Sequence, residues 1–228
     1  MMLDKSTSSA SAMPVRTVKP RDAASLVIID TTKSEPRILM GRRHAKMKFV
    51  PDAFVFPGGK LDPDDFNALP ATALRKTAHL GTDSNHLGRA LAMAAVRETF
   101  EETGFILAKT GHVGEAAGPG WAPFHKTGIA PDLAAIEGLA RAITPAGSPI
   151  RFHARFYLCH AHELTGTLKG SGELEDLDWY PISDALKLPI VDVTEFVLHE
   201  VREIHTTGIK RERAPLFSYR NNKPIIRI

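Results

Sequence analysis

The chain has 228 residues, 43% hydrophobic and 24% charged, an ordinary balance for a soluble globular protein with a real core. At roughly 150 residues per domain this makes one large domain or two small ones. A net charge of +3 and a pI near 9.0 suit an anionic ligand but are too weak to argue for nucleic acid. The single cysteine, Cys159, excludes an internal disulfide framework and fits a reducing, cytoplasmic setting, and no run approaches the ~18 apolar residues of a membrane helix.

Residues 1–20 are Ser-rich and mildly basic and have no apolar centre. They read as a flexible tail, with a transit peptide as the alternative. AASLVIID (Ala23–Asp30) is apolar and β-branched, a buried strand; TTKSEP turns, and RILMGRR is its hairpin partner. AFVFPGGK is a short strand ending at Pro57-Gly58-Gly59, and DPDDFNALP is expected to break regular structure. From about Leu87 to Thr103 the spacing is helical, with Leu91, Ala94, Ala95 and Phe100 toward a core. Gly104 stands where a C-cap glycine belongs.

GHVGEAAGPGWAPFHKTG reads as a loop. APDLAAIEGLARAI predicts a helix, with Pro131 near its start and Leu133, Ile136, Leu139, Ala140 and Ile143 at helical period. PIRFHARFYLCHAHE is a strand and LDWYP a short one. ISDALK and VTEFVLHEVREIH are helices, and APLFSYRNNKPIIRI is two short strands around Asn221-Asn222. Strands alternating irregularly with helices predict one α/β domain with a mixed sheet.

RETFEETGF, Arg97 to Phe105, carries the chemistry. Glu98, Glu101 and Glu102 are three and four apart and share one helix face. Like charges at that spacing cost about 0.2–0.5 kcal/mol per pair, part of which Arg97 offsets by pairing with Glu101. The remainder suggests a cation, and carboxylate oxygens select hard divalent ions; a solvated acidic face is the other reading of the same residues. The glycines at 58 and 59 let backbone N–H groups approach an anion.

Together these residues resemble the Nudix hydrolase family, whose signature runs Gly-x5-Glu-x7-Arg-Glu-U-x-Glu-Glu-x-Gly-U, with U a bulky apolar residue. Arg97 to Phe105 matches the second half, with Thr99 in place of an apolar residue, and Gly58-Gly59 matches the start. Counted from Gly58, the usual box reaches its arginine at residue 72, so about 25 residues are inserted, and Asp64 falls where the first glutamate is expected. A long-box branch of the family, related to the coenzyme A diphosphatase of mammalian peroxisomes, carries such an insertion. The likeness extends to FVFPGGKLD, ITPAGSPIRFHARFYL, ELEDLDWYPISDAL and PLFSYRNNKPIIRI.

The resemblance implies an α/β/α sandwich over residues 21–228, with an insertion at about 66–87 that serves as a lid or a dimer contact. It also implies hydrolysis of a nucleoside diphosphate derivative with Mg2+ or Mn2+, coenzyme A or acyl-coenzyme A being the first substrate class. Glu98, Glu101 and Glu102 match its metal ligands, with Gly58 beside them, and Arg97 its structural arginine. Arg42, Arg43, Gly59 and Arg155 are candidate substrate contacts; Arg42 and Arg43 point to opposite strand faces, so at most one of them reaches phosphate. The acids of GSGELEDLDW (Glu173, Glu175 and Asp176) are candidate general bases alongside the box glutamates. The coenzyme A diphosphatases carry a further motif before the box, which LMGRRHAKMKFVPDAFVFPGG matches only loosely.

Other patterns carry less. CHAH splits its side chains between two strand faces and lacks a second zinc pair. HEVREIH spaces its histidines six apart, DPDD lacks the calcium-loop pattern, and KRER (Lys210–Arg213) reads as a solvated turn. Trp121 and Trp179 read as packing residues, Trp121 being the better stacking candidate. Two alternatives to a small-molecule hydrolase stand: a non-catalytic nucleotide sensor of the same fold, and an enzyme of RNA 5′ ends.

Overall fold

The computed structural model describes residues 18–82 and 84–228, so the tail reading lies almost wholly outside the described residues. Along the chain come β1 (Arg21–Asp30), β2 (Arg37–Arg43), β3 (Phe54–Val55), β4 (Gly58–Lys60), α1 (Pro63–Asn67), α2 (Asn85–Thr103), β5 (Phe105–Ile106), β6 (Ala108–Thr110), α3 (Ala122–Thr127) and β7 (Ile129–Pro131). There follow β8 (Glu137–Ile143), β9 (Phe152–His160), β10 (Thr165–Gly166), β11 (Leu174–Pro181), α4 (Ile182–Ala185), α5 (Asp192–Thr207), β12 (Leu216–Arg220) and β13 (Lys223–Arg227).

The central sheet runs β11-β2-β1-β9-β8-β12-β13, with β3 and β4 paired to β2 and β1. It is mixed: β1 lies parallel to β9 and β12 to β8, while the other pairings are antiparallel. β1 sits inside the sheet, between β2 and β9, and is buried on both faces, which is why it reads as a continuous apolar run. Ala24, Leu26 and Ile28 face α2, whereas Val27 and Ile29 face α4 and α5. The result is the expected α/β/α sandwich with a mixed sheet.

α2 is capped by Ser84, whose hydroxyl accepts from Leu87 N at 3.2 Å, and ends at Gly104 with φ 76°. Residues Ala90 to Val96 are all buried. A helix apolar on every side needs cover on every side, and the second cover is the stretch after the first glycines. Ala68, Ala78 and Leu80 join the same core, and Thr72 bonds Asp132. The insertion is thus packed into the domain.

Three expectations are corrected. DPDDFNALP forms α1: Asp62 caps Asp64 N at 2.9 Å, Asp65 returns a bond to Asp62 N at 2.8 Å, and Pro63 takes the first helical turn. The loop reading of GHVGEAAGPGWAPFHKTG gives way at its end to α3. Leu133–Ile143 is not a helix but a short 3-10 turn followed by β8. Helix-forming residues lose here to pairing with β9 and β12, and Gly138 lets the 76–80 segment close on the strand: a Cβ there would stand 2.6 Å from Leu80 Cδ2.

Candidate functional site

The site lies where the last turns of α2 cross β4. A Cβ on Gly59 would stand 2.3–2.4 Å from the Glu98 carboxylate, so only glycine admits Glu98 here. Gly58, at φ 153°, donates its N–H to Glu102 Oε2 at 2.8 Å. The two glycines therefore serve as the surface against which two box glutamates are seated.

Arg97 holds the helix from behind. Its Nε and Nη2 reach the two oxygens of Asp65 at 2.8 and 3.0 Å, Nη2 also bonds Lys60 O at 3.1 Å, and Nη1 reaches Glu98 and Glu101 at 3.0 and 3.1 Å. Asp65 is the residue that sequence reasoning missed. Counted from Gly59 instead of Gly58, the five-residue spacing arrives at Asp65, so the partner of Arg97 is Asp65 and not Asp64.

Glu98 and Glu102 open into a cavity of about 470 Å3. Arg43 and Glu173 join them at the polar end, while Met47, Phe49, Val55, Phe56, Phe152 and Phe156 supply an apolar wall. Phe49 and Phe152 meet edge to face, ring centroids 4.8 Å apart. Burial pushes Glu102 up to about 8, against the Gly58 N–H that lowers it, and the charges of Glu98 and Glu173 add to the rise. Burial also raises Glu98 and Glu101, opposed by Arg97. Among the described residues, no three acidic, histidine or cysteine side chains are gathered as a ready cation cage.

The other site expectations separate cleanly. Of the paired arginines, Arg43 lines the cavity and Arg42 does not: Arg42 bonds Asp176 and Glu175, each at 2.8 Å. The substrate expectation for Arg42 is corrected accordingly, and Glu175 and Asp176 are tied up with Arg42 while Glu173 faces the cavity. Arg155 is corrected too; it lies on the opposite face of β9 from Phe152, Ala154 and Phe156, bonded to Asp22. Trp121 is fully buried against Phe124, which ends its candidacy as a stacking platform. In KRER, Arg211 pairs with Glu200 and Glu203, and Lys210 with Glu137. Sequence reasoning also missed the aromatic wall, of which Phe152 and Phe156 sit on one alternating face of β9 and Phe49 and Phe56 come from the segment before Gly58.

The fold and site define an α/β/α sandwich that seats carboxylates of one helix against a glycine turn at the end of an apolar cavity. The chain belongs to the Nudix hydrolase family. It is similar to a Nudix hydrolase of Alicyclobacillus acidocaldarius, known from a crystal structure, with 30% identity over 82% of this chain and 91% of that one and a TM-score of 0.62. It is 30% identical over 171 residues to the Caenorhabditis elegans protein that carries the name nudix hydrolase 7, covering 70% of this chain and 50% of that protein. A human protein named acyl-coenzyme A diphosphatase is 27% identical over 205 residues, 65% of this chain and 54% of that protein. The chain spans about half the length of these curated relatives, and no family model matches it. No helix among the described residues is long and apolar enough to cross a membrane.

Proposed function

We propose that the protein hydrolyses the diphosphate linkage of a nucleoside diphosphate derivative, with a divalent cation, Mg2+ or Mn2+, as cofactor. The observation that carries this is the seating of Glu98 and Glu102 at one end of the cavity, with Arg43 and Glu173 beside them and an apolar wall beyond. The donor set fits a cation: Glu98, Glu101 and Asp65 share one arginine, and Glu102, a carboxyl held near 8 by burial, needs a positive neighbour to ionise at neutral pH.

Glu98 and Glu102, with Glu101 on the same helix turn and Gly58 beside them, would hold the ion. Bound there, the ion would supply charge neutralisation of the diphosphate and acidification of a water. The remaining steps belong to side chains. Arg43 offers its planar fork to phosphate, Glu173 takes the proton of the attacking water, Gly59 leaves room for Glu98, and Arg97 with Asp65 fixes the helix turn. The apolar wall and the human relative's name support coenzyme A or acyl-coenzyme A as the substrate class. The buried free thiol of Cys159 supports a cytoplasmic setting.

The test is diphosphate hydrolysis across coenzyme A, acyl-coenzyme A, ADP-ribose, NADH, diadenosine polyphosphates and capped RNA, each with Mg2+, with Mn2+ and with EDTA. Cation-dependent turnover that is lost in Glu98→Gln is the expected result. Tight binding of one compound with no turnover of any would replace this reading with a nucleotide sensor.

A further inference from the structure

Behind the cavity, the same two strands carry a second cluster. β9 sends Phe152, Ala154 and Phe156 into the cavity and β8 sends Ala142; strand alternation sends His153, Arg155 and Arg141 to the other face. Arg141 and Arg155 are direct cross-strand partners, the position in which like charges repel. Arg155 is only 3% exposed.

The donors there outnumber the acceptors. The Nε atoms of Arg141 and Arg155 and Nε2 of His153 are buried without a hydrogen-bond partner. Among the described residues, the one carboxylate bonded to the cluster is Asp22, which accepts from Arg155 Nη1. The Arg141 guanidinium lies against Gly81, where a Cβ would stand 2.4 Å from Nη1. Burial and the Arg155 charge hold His153 down at about 4, leaving it neutral. Buried donors without acceptors and opposed guanidiniums are both costly, and one oxyanion relieves both.

We propose that Arg141, Arg155 and His153 form a second anion site, on the sheet face opposite the cavity, that takes a tetrahedral oxyanion of the phosphate class. Two guanidinium groups side by side suit such an anion because each offers paired N–H donors in a plane. Arg141 and Asp22 are both partly exposed, so the cluster has an opening to solvent. Because the site shares β8 and β9 with the cavity, its occupancy acts on the strands that carry the aromatic wall.

The experiment is thermal unfolding in EDTA with inorganic phosphate, with glycerol 3-phosphate, or with chloride at matched ionic strength. We expect a saturable rise of roughly 3 °C or more with phosphate over chloride, kept in Arg43→Gln and lost in Arg141→Gln. An equal rise with glycerol 3-phosphate assigns the site to phosphomonoesters, and a rise with phosphate alone assigns it to the free ion. No rise over chloride, a rise that survives Arg141→Gln, or one lost in Arg43→Gln overturns the proposal. If Arg141→Gln does not fold, the Nε–H resonances of Arg141 and Arg155 in 15N-labelled wild-type protein decide: they shift with phosphate, or the site is absent.

Discussion

Arg97 and Arg42 hold two or more acidic partners each, and water separates their meanings. The Arg97 side chain is 9% exposed and its partner Asp65 is fully buried. Arg42 is 31% exposed, and Asp176 opposite it is 56% exposed. The first pair cannot lose a member without stranding a buried charge, at about 3–5 kcal/mol. The second is screened and is worth about 0–1 kcal/mol. One arrangement fixes the site, and the other ties a loop acid to a strand end.

The sharpest way to break this contrast is Asp65→Ala. It should cost about 3–5 kcal/mol in chemical denaturation and lower Tm by roughly 10 °C; a loss below about 1 kcal/mol would place the pair with the surface ones. Arg43→Ala, next to Arg42 but facing the cavity, should lower kcat/KM by roughly 10–100-fold, as expected for a lost hydrogen bond to a charged group. Steady-state kinetics on the best substrate of the panel reads this.

Glu102 tests burial of a carboxyl whose hydrogen bond comes from the Gly58 backbone and not from a cation. Its raised pKa means that its contribution to stability is fully present below the ordinary value of 4.5 and is lost as pH rises through about 8. In EDTA, wild-type Tm should therefore fall by a few degrees more than that of Glu102→Gln between pH 6 and pH 9, and divalent cation should close the gap. Parallel calorimetric curves for the two proteins would mean that Glu102 is already ionised. The smallest effect belongs to Arg42→Ala, with stability within about 1 kcal/mol of wild type and kcat/KM unchanged.

Local signals were legible in the sequence. The acidic turn and Gly104 mark the end of one helix, and each lies within a few residues of what it controls, whereas the cap at Ser84 went unread. The apolar run of β1 likewise announces a strand buried on both faces. What failed was set by distant partners. Leu133–Ile143 carries helix-forming residues at helical spacing and becomes β8 because β9 and β12 flank it. Asp65 was missed by one position because either glycine of the pair could start the count, and only the Arg97 contact chooses between them. Arg155 looked like a contact to substrate in the cavity because nothing local says which side of β9 faces it.

The insertion also has a kinetic and entropic side. The usual signature places its acid eight residues before the arginine, whereas Asp65 and Arg97 are 32 apart. Fourfold lengthening of a closed loop adds only about 1.2 kcal/mol of chain entropy, at ~0.6 per doubling. Burying Leu80 alone contributes about 1.5–3 kcal/mol. The longer closure therefore burdens the search for the native contact, through higher contact order, more than it burdens the folded state.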